Sequence, residues 1–248
     1  MRLEATTDKA PGFKPRAGGR NRSTMPTAFQ TKEETSVKIQ IGCLTLLLLS
    51  FSLSAVAQGS GKHATTADWR QPFQLSSTTF ANDTTLPLSM INNNIVNGSN
   101  ACSLNGSPGG NQSPELSWTN APWRTSSFVV TAYDTTAAFT HWGMYNISPT
   151  ATGLPENAGV AASTYGKQIF NDFFVGAEYD GPCPPPNVKP FVHHYFFTVY
   201  ALDVVLRLPS SANFPASAET LYQALIKAGA AGHILASSSI TGFYSTTP

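Results

Sequence analysis

Residues 195–202 read YFFTVYAL, and this run decides the fold class. Most of its positions are aromatic or β-branched, which suits the pleated and half-buried surface of a β-strand. Two further runs share this composition, SFVVTAY at residues 127–133 and HWGMYNI at residues 141–147. Shorter strands are predicted at residues 116–118 and near residues 73–80. The chain is therefore expected to form a mostly β domain.

One helix is predicted, close to the C-terminus. Ser217 can cap its first turn, and Gly229 can end it in the left-handed conformation. Helical spacing gives an apolar stripe that consists of Leu221, Ala224, Leu225 and Ala228. A last strand and tail follow at residues 233–244. Many strands with one helix predict an antiparallel β-sheet domain with Greek-key connections and few peripheral helices, and not alternating βαβ units.

The N-terminal part has the features of a secretory signal. Residues 41–53 read IGCLTLLLLSFSL, an apolar run shorter than the about 20 residues that a membrane-spanning helix needs. Lys38 precedes this run, and the small residues Ala55-Val56-Ala57 follow it as a cleavage site. We expect a signal peptide that is cleaved near Ala57, and hence a periplasmic or secreted protein. An uncleaved anchor is the alternative.

The expected domain organisation follows from this segment. Residues 1–24 carry six Lys and Arg against two acidic residues, so Met25 is a candidate for the true start and an organelle-type leader is the alternative. We assign residues 1–57 to the leader and signal peptide, residues 58–72 to a flexible tail, and residues 73–248 to one domain.

The mature part differs in charge from the whole chain, whose formal net charge is +1. After Ala57 there are seven Lys and Arg against ten Asp and Glu, a net charge of −3. This balance argues against nucleic acid as a partner and against a polybasic membrane patch.

Two cysteines, Cys102 and Cys183, remain after cleavage. In an exported domain they predict one disulfide, which stabilises the fold by at most about 4 kcal/mol in the chain-entropy model. Two unpaired thiols are the alternative.

Polar residues at strand ends indicate a binding pocket. Asp134 ends one predicted strand, and His141 begins the next after six intervening residues. His193 and His194 precede Tyr195, and side-chain alternation along a strand turns one histidine of the pair inward. An imidazole N–H can donate to a phosphate or carboxylate oxygen, and a neighbouring carboxylate fixes the imidazole tautomer. These residues predict an anion pocket around Asp134, His141 and His193.

The loop YDGPCPPP at residues 179–186 is expected to border this pocket. Backbone N–H groups near Gly181 can form an anion nest, and prolines such as Pro185 can form a stiff wall. Tyr195 can add a hydroxyl, and Phe139 is a candidate cover for the mouth. His233 is expected to be structural because no acidic residue or histidine neighbours it in the sequence. Core positions are expected for Trp118, Trp142, Phe196 and Phe197.

Several ordered blocks resemble a known family. Residues 111–118, NQSPELSW, resemble the N-x-S-P-x-L-x-W opening of the phosphatidylethanolamine-binding proteins, particularly their bacterial Raf-kinase-inhibitor-like branch. Residues 127–134 with His141-Trp142 resemble the first family signature. Two further blocks resemble the second family signature. They are GPCPP at residues 181–185 and HHYFFTVYALD at residues 193–203. The resemblance extends over nearly the whole mature chain.

This resemblance implies a β-sheet fold with a small anion-accepting pocket. The family's pocket residues correspond to Asp134, His141, Pro185, His193 and Tyr195. Cys102 matches a cysteine that often accompanies the Gly-Pro-Cys-Pro-Pro form.

Two departures from the family pattern concern the pocket rim. The family's Asp-Pro-Asp-Ala-Pro is DTTAA here, at residues 134–138, and its His-Arg-Tyr is HHY at residues 193–195. An acid, two prolines and a cation are lost, so we expect a rim that is less charged and more flexible.

The expected function is non-catalytic binding of a small anionic ligand that bears a phosphate or carboxylate, such as a phospholipid headgroup, without a cofactor. One alternative is an extracytoplasmic inhibitor or modulator of a protease or kinase, whose partner the sequence does not name. The other is a metal-dependent hydrolase with Asp134, His141 and His193 as zinc ligands. The sequence lacks H-E-x-x-H, G-x-S-x-G and P-loop motifs, so we do not expect an enzyme.

Overall fold

The structure is a computed structural model that describes residues 71–211 and 213–248. The predicted leader and signal peptide, and the predicted tail apart from Gln71 and Pro72, lie outside the described residues. Within these two ranges, no helix is long and apolar enough to cross a membrane.

The described residues are mostly β, as the sequence predicts. In chain order their elements are β1 (Gln74–Ser76), β2 (Thr84–Thr85), a 3-10 turn (Leu88–Met90), β3 (Ile95–Val96), β4 (Ser99–Asn100), β5 (Leu116–Thr119), β6 (Ser127–Asp134), β7 (Phe139–Ile147), β8 (Gly153–Leu154), β9 (Lys167–Gln168), β10 (His193–Leu202), α1 (Ala218–Ala230) and β11 (Ile234–Tyr244). The three strands predicted from aromatic and β-branched runs are confirmed as β6, β7 and β10, each one or two residues longer than predicted.

A six-stranded sheet carries the candidate site, with the order β2-β11-β10-β6-β7-β9. Its central pairs are antiparallel, whereas β2 joins β11 in parallel and makes that edge mixed. After β7, the chain passes through β8 and β9 and returns beside β6 as β10, a long connection of the expected Greek-key type. A smaller sheet has the order β1-β5-β8, and β3 pairs with β4 as a separate two-stranded sheet.

Both faces of the central sheet are covered, because successive side chains of a strand point to opposite faces. Phe128 and Val130 of β6 belong to a core with Trp118 of the small sheet, whose ring lies 5.1 Å from that of Phe128 between centroids. Val129, between them, packs in a second core with Leu221 of α1. Each central strand therefore contributes side chains to both cores. For this reason its sequence is a nearly continuous apolar run.

Three of the four aromatic residues assigned to the core are confirmed there. Trp118, Trp142 and Phe197 are 2% exposed or less. Phe196 is 37% exposed, because it neighbours Phe197 in β10 and points to the opposite face.

The helix begins as predicted but ends later. Ser217 and Thr220 form a capping box, in which each side chain accepts a hydrogen bond from the other residue's backbone N–H. The prediction that Gly229 ends the helix is wrong, since α1 continues to Ala230. Gly232 adopts the left-handed conformation with φ +74°, which lets the next N–H reach back to a carbonyl of the last turn.

Candidate functional site

Strand pairing brings the predicted pocket residues together. Asp134, at the end of β6, pairs with Tyr195 in β10 and with Phe139 in β7. His193 begins β10, and His141 lies two residues into β7. These residues line one cavity of about 190 Å³. Its lining comprises Asp134, Ala137, Phe139, His141, Phe173, Cys183, Pro184, Pro185, His193 and Tyr195.

A buried pair of His193 and Asp134 forms one side of the cavity. Nδ1 of His193 lies 2.6 Å from Oδ2 of Asp134. Both residues are almost completely buried, 6% and 2% exposed. An ionised carboxylate only accepts hydrogen bonds, so Nδ1 carries the proton and Nε2 is left for another partner. His194 is exposed and contacts the Phe243 ring, which confirms His193 as the inward histidine of the pair.

The other oxygen of Asp134 organises the loop at residues 135–138. Oδ1 accepts the backbone N–H groups of Thr136 at 2.8 Å and Ala137 at 3.2 Å. Thr135 N–H donates to the His194 carbonyl, and His194 N–H donates to the Thr136 hydroxyl, both at 3.0 Å. The expectation of a more flexible rim finds no support here, because hydrogen bonds hold the segment that lacks the family's prolines.

His141 also lines the cavity. Its Nδ1 lies 2.7 Å from the carbonyl oxygen of Asp180 and must donate to it, which leaves Nε2 free of that contact. His141 is 4% exposed. Burial lowers the pKa of His141, although the Asp180 carbonyl and the nearby carboxylates of Asp134 and Asp180 oppose that shift. Without a ligand, the ring is therefore held towards its neutral form.

Asp180 is a supporting residue that sequence reasoning did not assign to the site. Its carboxylate oxygens accept Nδ2 of Asn171 at 2.8 Å and Nδ2 of Asn111 at 3.2 Å. Asn111 belongs to the NQSPELSW block, so this motif acts behind the cavity wall. The two amides fix Asp180, and Asp180 in turn fixes the ring of His141.

Gly181 does not play the predicted role. Its N–H donates to Oδ1 of Asn111 at 2.7 Å and so is not available for an anion nest. Gly181 is also absent from the cavity lining. A side chain at this position would collide with the Met90 carbonyl oxygen, so the residue allows a close backbone approach behind the site.

Tyr195 lines the cavity beneath the two histidines. Its ring centroid lies 5.2 Å from that of His141 and 6.5 Å from that of His193. Its hydroxyl is buried without a hydrogen-bond partner among the described residues. Burial, with the Asp134 carboxylate as a smaller cause, raises the pKa of this hydroxyl far above its usual value. It is therefore a neutral buried donor.

Two phenylalanines and a proline-rich segment complete the wall. The rings of Phe139 and Phe173 meet edge to face at 4.7 Å, and both contact the His141 ring. Phe139 thus lies at the predicted place, whereas Phe173 was not predicted; its signal is the pair of phenylalanines in the loop NDFFVG at residues 171–176. Cys183 and Pro185 also line the cavity. Cys183 forms a disulfide with Cys102, as the cysteine count suggests.

One further sequence prediction concerns a residue outside the cavity walls. His233 was expected to be structural, and its Nδ1 lies 2.9 Å from Oδ1 of Asp203, a partner that the sequence did not predict. Strand pairing, which the local sequence does not reveal, brings the two together.

Across residues 71–211 and 213–248, no group of three or more His, Cys, Asp or Glu side chains is placed to hold a metal ion.

Comparison with known proteins identifies the family. The model of the phosphatidylethanolamine-binding protein family matches residues 76–245. The chain belongs to this family. Membership supports a binding role in general terms, and it agrees with the mostly β architecture.

Two relatives show how far the similarity extends. A UPF0098 protein of Methanothermobacter thermautotrophicus is 37% identical over 141 residues, which cover 55% of this chain and 84% of the relative. The UPF0098 protein YbcL of Escherichia coli is 41% identical over 116 residues, 44% of this chain and 61% of the relative. The crystal structure of YbcL, described as a new member of the mammalian family, matches with a TM-score of 0.56 and 32% identity over 71% of this chain and 99% of YbcL.

Proposed function

We propose that this protein is a non-catalytic binder of a small anion, and that Nε2 of His141 and of His193 hold one phosphate or carboxylate group in the cavity. The supporting observation is that each Nδ1 is already committed, to Asp180 and to Asp134 respectively. Both Nε2 atoms are therefore left to a ligand. The hydroxyl of Tyr195 is a third candidate donor, since it is buried without a partner.

The charge of the site makes binding depend on protons. With both imidazoles neutral, each Nε2 only accepts hydrogen bonds, and the Asp134 carboxylate lines the same cavity. An anion is then favoured only when a proton accompanies it, either on an imidazole or on the ligand as a P–OH group. The titratable groups facing His141 are Asp134, Asp180, His193 and Tyr195. Binding should therefore strengthen as the pH falls.

The cavity volume limits the ligand. Pockets for drug-sized molecules have volumes of about 300 to 1,000 Å³. The cavity of about 190 Å³ is smaller and suits a group such as phosphoethanolamine. Asp134, His141, His193 and Tyr195 supply the polar groups of the lining, whereas Phe139, Phe173 and Pro185 supply apolar walls.

Titration calorimetry with phosphoethanolamine and with inorganic phosphate tests this function. We expect binding by the wild type, a loss of at least tenfold in affinity in His141→Gln and in His193→Gln, and no change in His194→Gln, whose exposed ring is the matched control. Each of the two losses corresponds to removing one charge-assisted hydrogen bond, about 1.5–3 kcal/mol. The absence of heat with either ligand at pH 5.5, or an equal loss in the control, would contradict the proposal.

We further propose that the protein meets its ligand outside the cytoplasm, because residues 41–57 have the features of a cleaved signal peptide. N-terminal sequencing of protein recovered from the exported fraction should begin near Gln58. A mature N-terminus at Met1 or Met25 would contradict export by this route.

A further inference from the structure

The strand β11 has an open edge over part of its length. Its neighbour on that side, β2, is two residues long and pairs with residues 242–243. The Thr241 N–H donates to Oδ1 of Asn82, and the Thr241 carbonyl accepts the Asp83 N–H. Beyond Thr241 this cover ends. Residues 236–240 have no strand beside them on this side within the described part of the chain.

The unpaired edge groups belong to Ser237 and Ser239. Backbone groups of alternate residues in a strand point to the same side, and those of Thr241 point towards β2. Ser237 and Ser239 share this direction, and both residues are exposed. Among the described residues, no hydrogen-bond partner faces their N–H and C=O groups on that side. Such a row is a template for pairing with another strand.

β11 lacks the features by which natural proteins usually block strand addition at an edge. Residues 234–244 read ILASSSITGFY and contain no charged residue and no proline. A register shift lies at residues 234–236, before the open stretch. By contrast, the opposite edge of the same sheet is β9, which is two residues long and carries the exposed Lys167. The edge of β11 is therefore the one that is available for pairing.

A hollow of about 480 Å³ lies beside this open edge. Its wall includes Ala236 of β11 together with Phe73, Pro122 and Trp123. Trp123 is 80% exposed, and tryptophan is enriched among the residues that dominate binding at protein interfaces. Residues directly opposite each other in neighbouring strands project to the same face. An added strand would therefore place the side chain opposite Ala236 against this hollow.

We propose that the open edge of β11 is a strand-addition site for an extended segment of a partner protein, with a large apolar side chain of that segment in the hollow at Trp123. An extended peptide supplies donors and acceptors at the spacing that Ser237 and Ser239 present. A second copy of this chain fits less well. Antiparallel pairing of two β11 strands would bring Ala236, Ser238 or Ile240 to the hollow, and these side chains are small or, for Ile240, buried in the core.

This site is remote from the anion cavity. Tyr244, near the cavity end of β11, pairs with His193, whereas Ala236 pairs with Ala201. The eight residues between these two pairs span about 26 Å at about 3.3 Å per residue. The inference therefore does not depend on the proposed anion binding, and each can fail without the other.

Amide hydrogen exchange of the purified protein with a strand-forming peptide tests the site. The probe alternates threonine and valine around a central tryptophan and has a lysine at each end. Binding should slow the exchange of the Ser237 and Ser239 amides at least tenfold. A peptide with proline in place of both valines should not bind, because it lacks the N–H donors. A glycine-centred peptide should bind at least tenfold more weakly, because it leaves the hollow empty.

Two variants separate the edge from the hollow. Ser237→Pro removes one edge N–H at a position where proline is tolerated, and should weaken binding of the tryptophan peptide at least tenfold. Ser237→Ala keeps the N–H and is the matched control, with unchanged affinity. Trp123→Ser should abolish the preference for the tryptophan peptide over the glycine peptide. If Ser237→Pro does not fold, the proline-containing peptide tests the same hydrogen bonds on the unaltered protein.

Three results would overturn the proposal. If the Ser237 and Ser239 amides are already protected in the free protein, another segment of this chain occupies the edge. If protection appears when the protein concentration alone is raised, a second copy occupies it. If the tryptophan peptide gives no protection at millimolar concentration, the edge is not a binding surface.

Discussion

Nδ1 of His193 lies 2.6 Å from Oδ2 of Asp134, while Oδ1 of the same carboxylate accepts two backbone N–H groups of the loop that follows β6. One buried carboxylate therefore sets both the tautomer of an imidazole and the shape of the cavity rim. Removing its charge should disturb the ring and the loop together, which makes Asp134 the most informative residue of the site.

Asp134→Asn should change the tautomer of His193. An amide NH₂ facing Nδ1 favours the proton on Nε2, the reverse of the arrangement that the carboxylate imposes. Long-range ¹H–¹⁵N correlation spectra should show protonated Nδ1 in the wild type and protonated Nε2 in the variant. The variant should also lose about 1–3 kcal/mol of stability, because a charge-assisted hydrogen bond is weakened in a buried place. A wild-type ring protonated only on Nε2 would show that the assignment is wrong.

Tyr195→Phe should have opposite effects on stability and on binding. The hydroxyl is buried without a partner, so its removal should leave the ligand-free protein equally stable or up to about 1 kcal/mol more stable. Phosphate affinity should fall severalfold if the hydroxyl donates to the ligand. Urea denaturation and calorimetry on the same samples measure the two effects. A marked loss of stability would indicate that the hydroxyl has a structural partner.

The stability of the ligand-free protein should rise with pH in the window just below 6.5. Burial lowers the folded-state pKa of His141 from 6.5, so between that lowered pKa and about 6.5 the unfolded chain binds more protons than the folded one. The free energy of unfolding then decreases as the pH falls through this window, by at most about 1.4 kcal/mol per pH unit. Above this window, His141 does not affect the stability. Urea denaturation from pH 5 to 8 should show this contribution in the wild type and in His194→Gln. A His141→Gln variant with the same slope would contradict it.

The revised end of α1 can be tested with two glycines. Gly229 lies inside the helix with ordinary space for a Cβ, so Gly229→Ala should stabilise the protein by about 0.5–1 kcal/mol. Gly232 has φ +74°, so Gly232→Ala should destabilise it by about 1–2 kcal/mol although the space there is open. Thermal unfolding of both variants gives the comparison. The reverse order of stabilities would restore Gly229 as the helix end.

The sequence predicts the fold well where composition alone is sufficient. The runs that became β6, β7 and β10 are long, aromatic and β-branched, and Asp134, His141 and His193 lie at or near the ends of these strands on the same side of the sheet's centre, where they line one cavity. Alternation along β10 predicts that only one of His193 and His194 faces the cavity, and the family resemblance selects His193.

The features of the site that the sequence did not predict depend on contacts between segments that are distant in the chain. The amide of Gly181 is used by Asn111, 70 residues away, and His233 meets Asp203 through strand pairing. Phe173 reaches the cavity because Asn171 fixes its loop. No local pattern reports such partners, so the expected anion nest at Gly181 was wrong and the Asp203 partner of His233 was not predicted, while the cavity itself was anticipated.

The most direct measurement is the protonation state of the histidine nitrogens during an anion titration, followed by long-range ¹H–¹⁵N correlation spectra near pH 6. Sulfate is a suitable probe because it does not titrate in this range. We expect Nε2 of His141 to become protonated and the Nε2 resonance of His193 to shift as sulfate binds, with the exposed ring of His194 unchanged. If His141 and His193 keep their ligand-free resonances at saturating sulfate and at saturating phosphoethanolamine, the cavity is not an anion site.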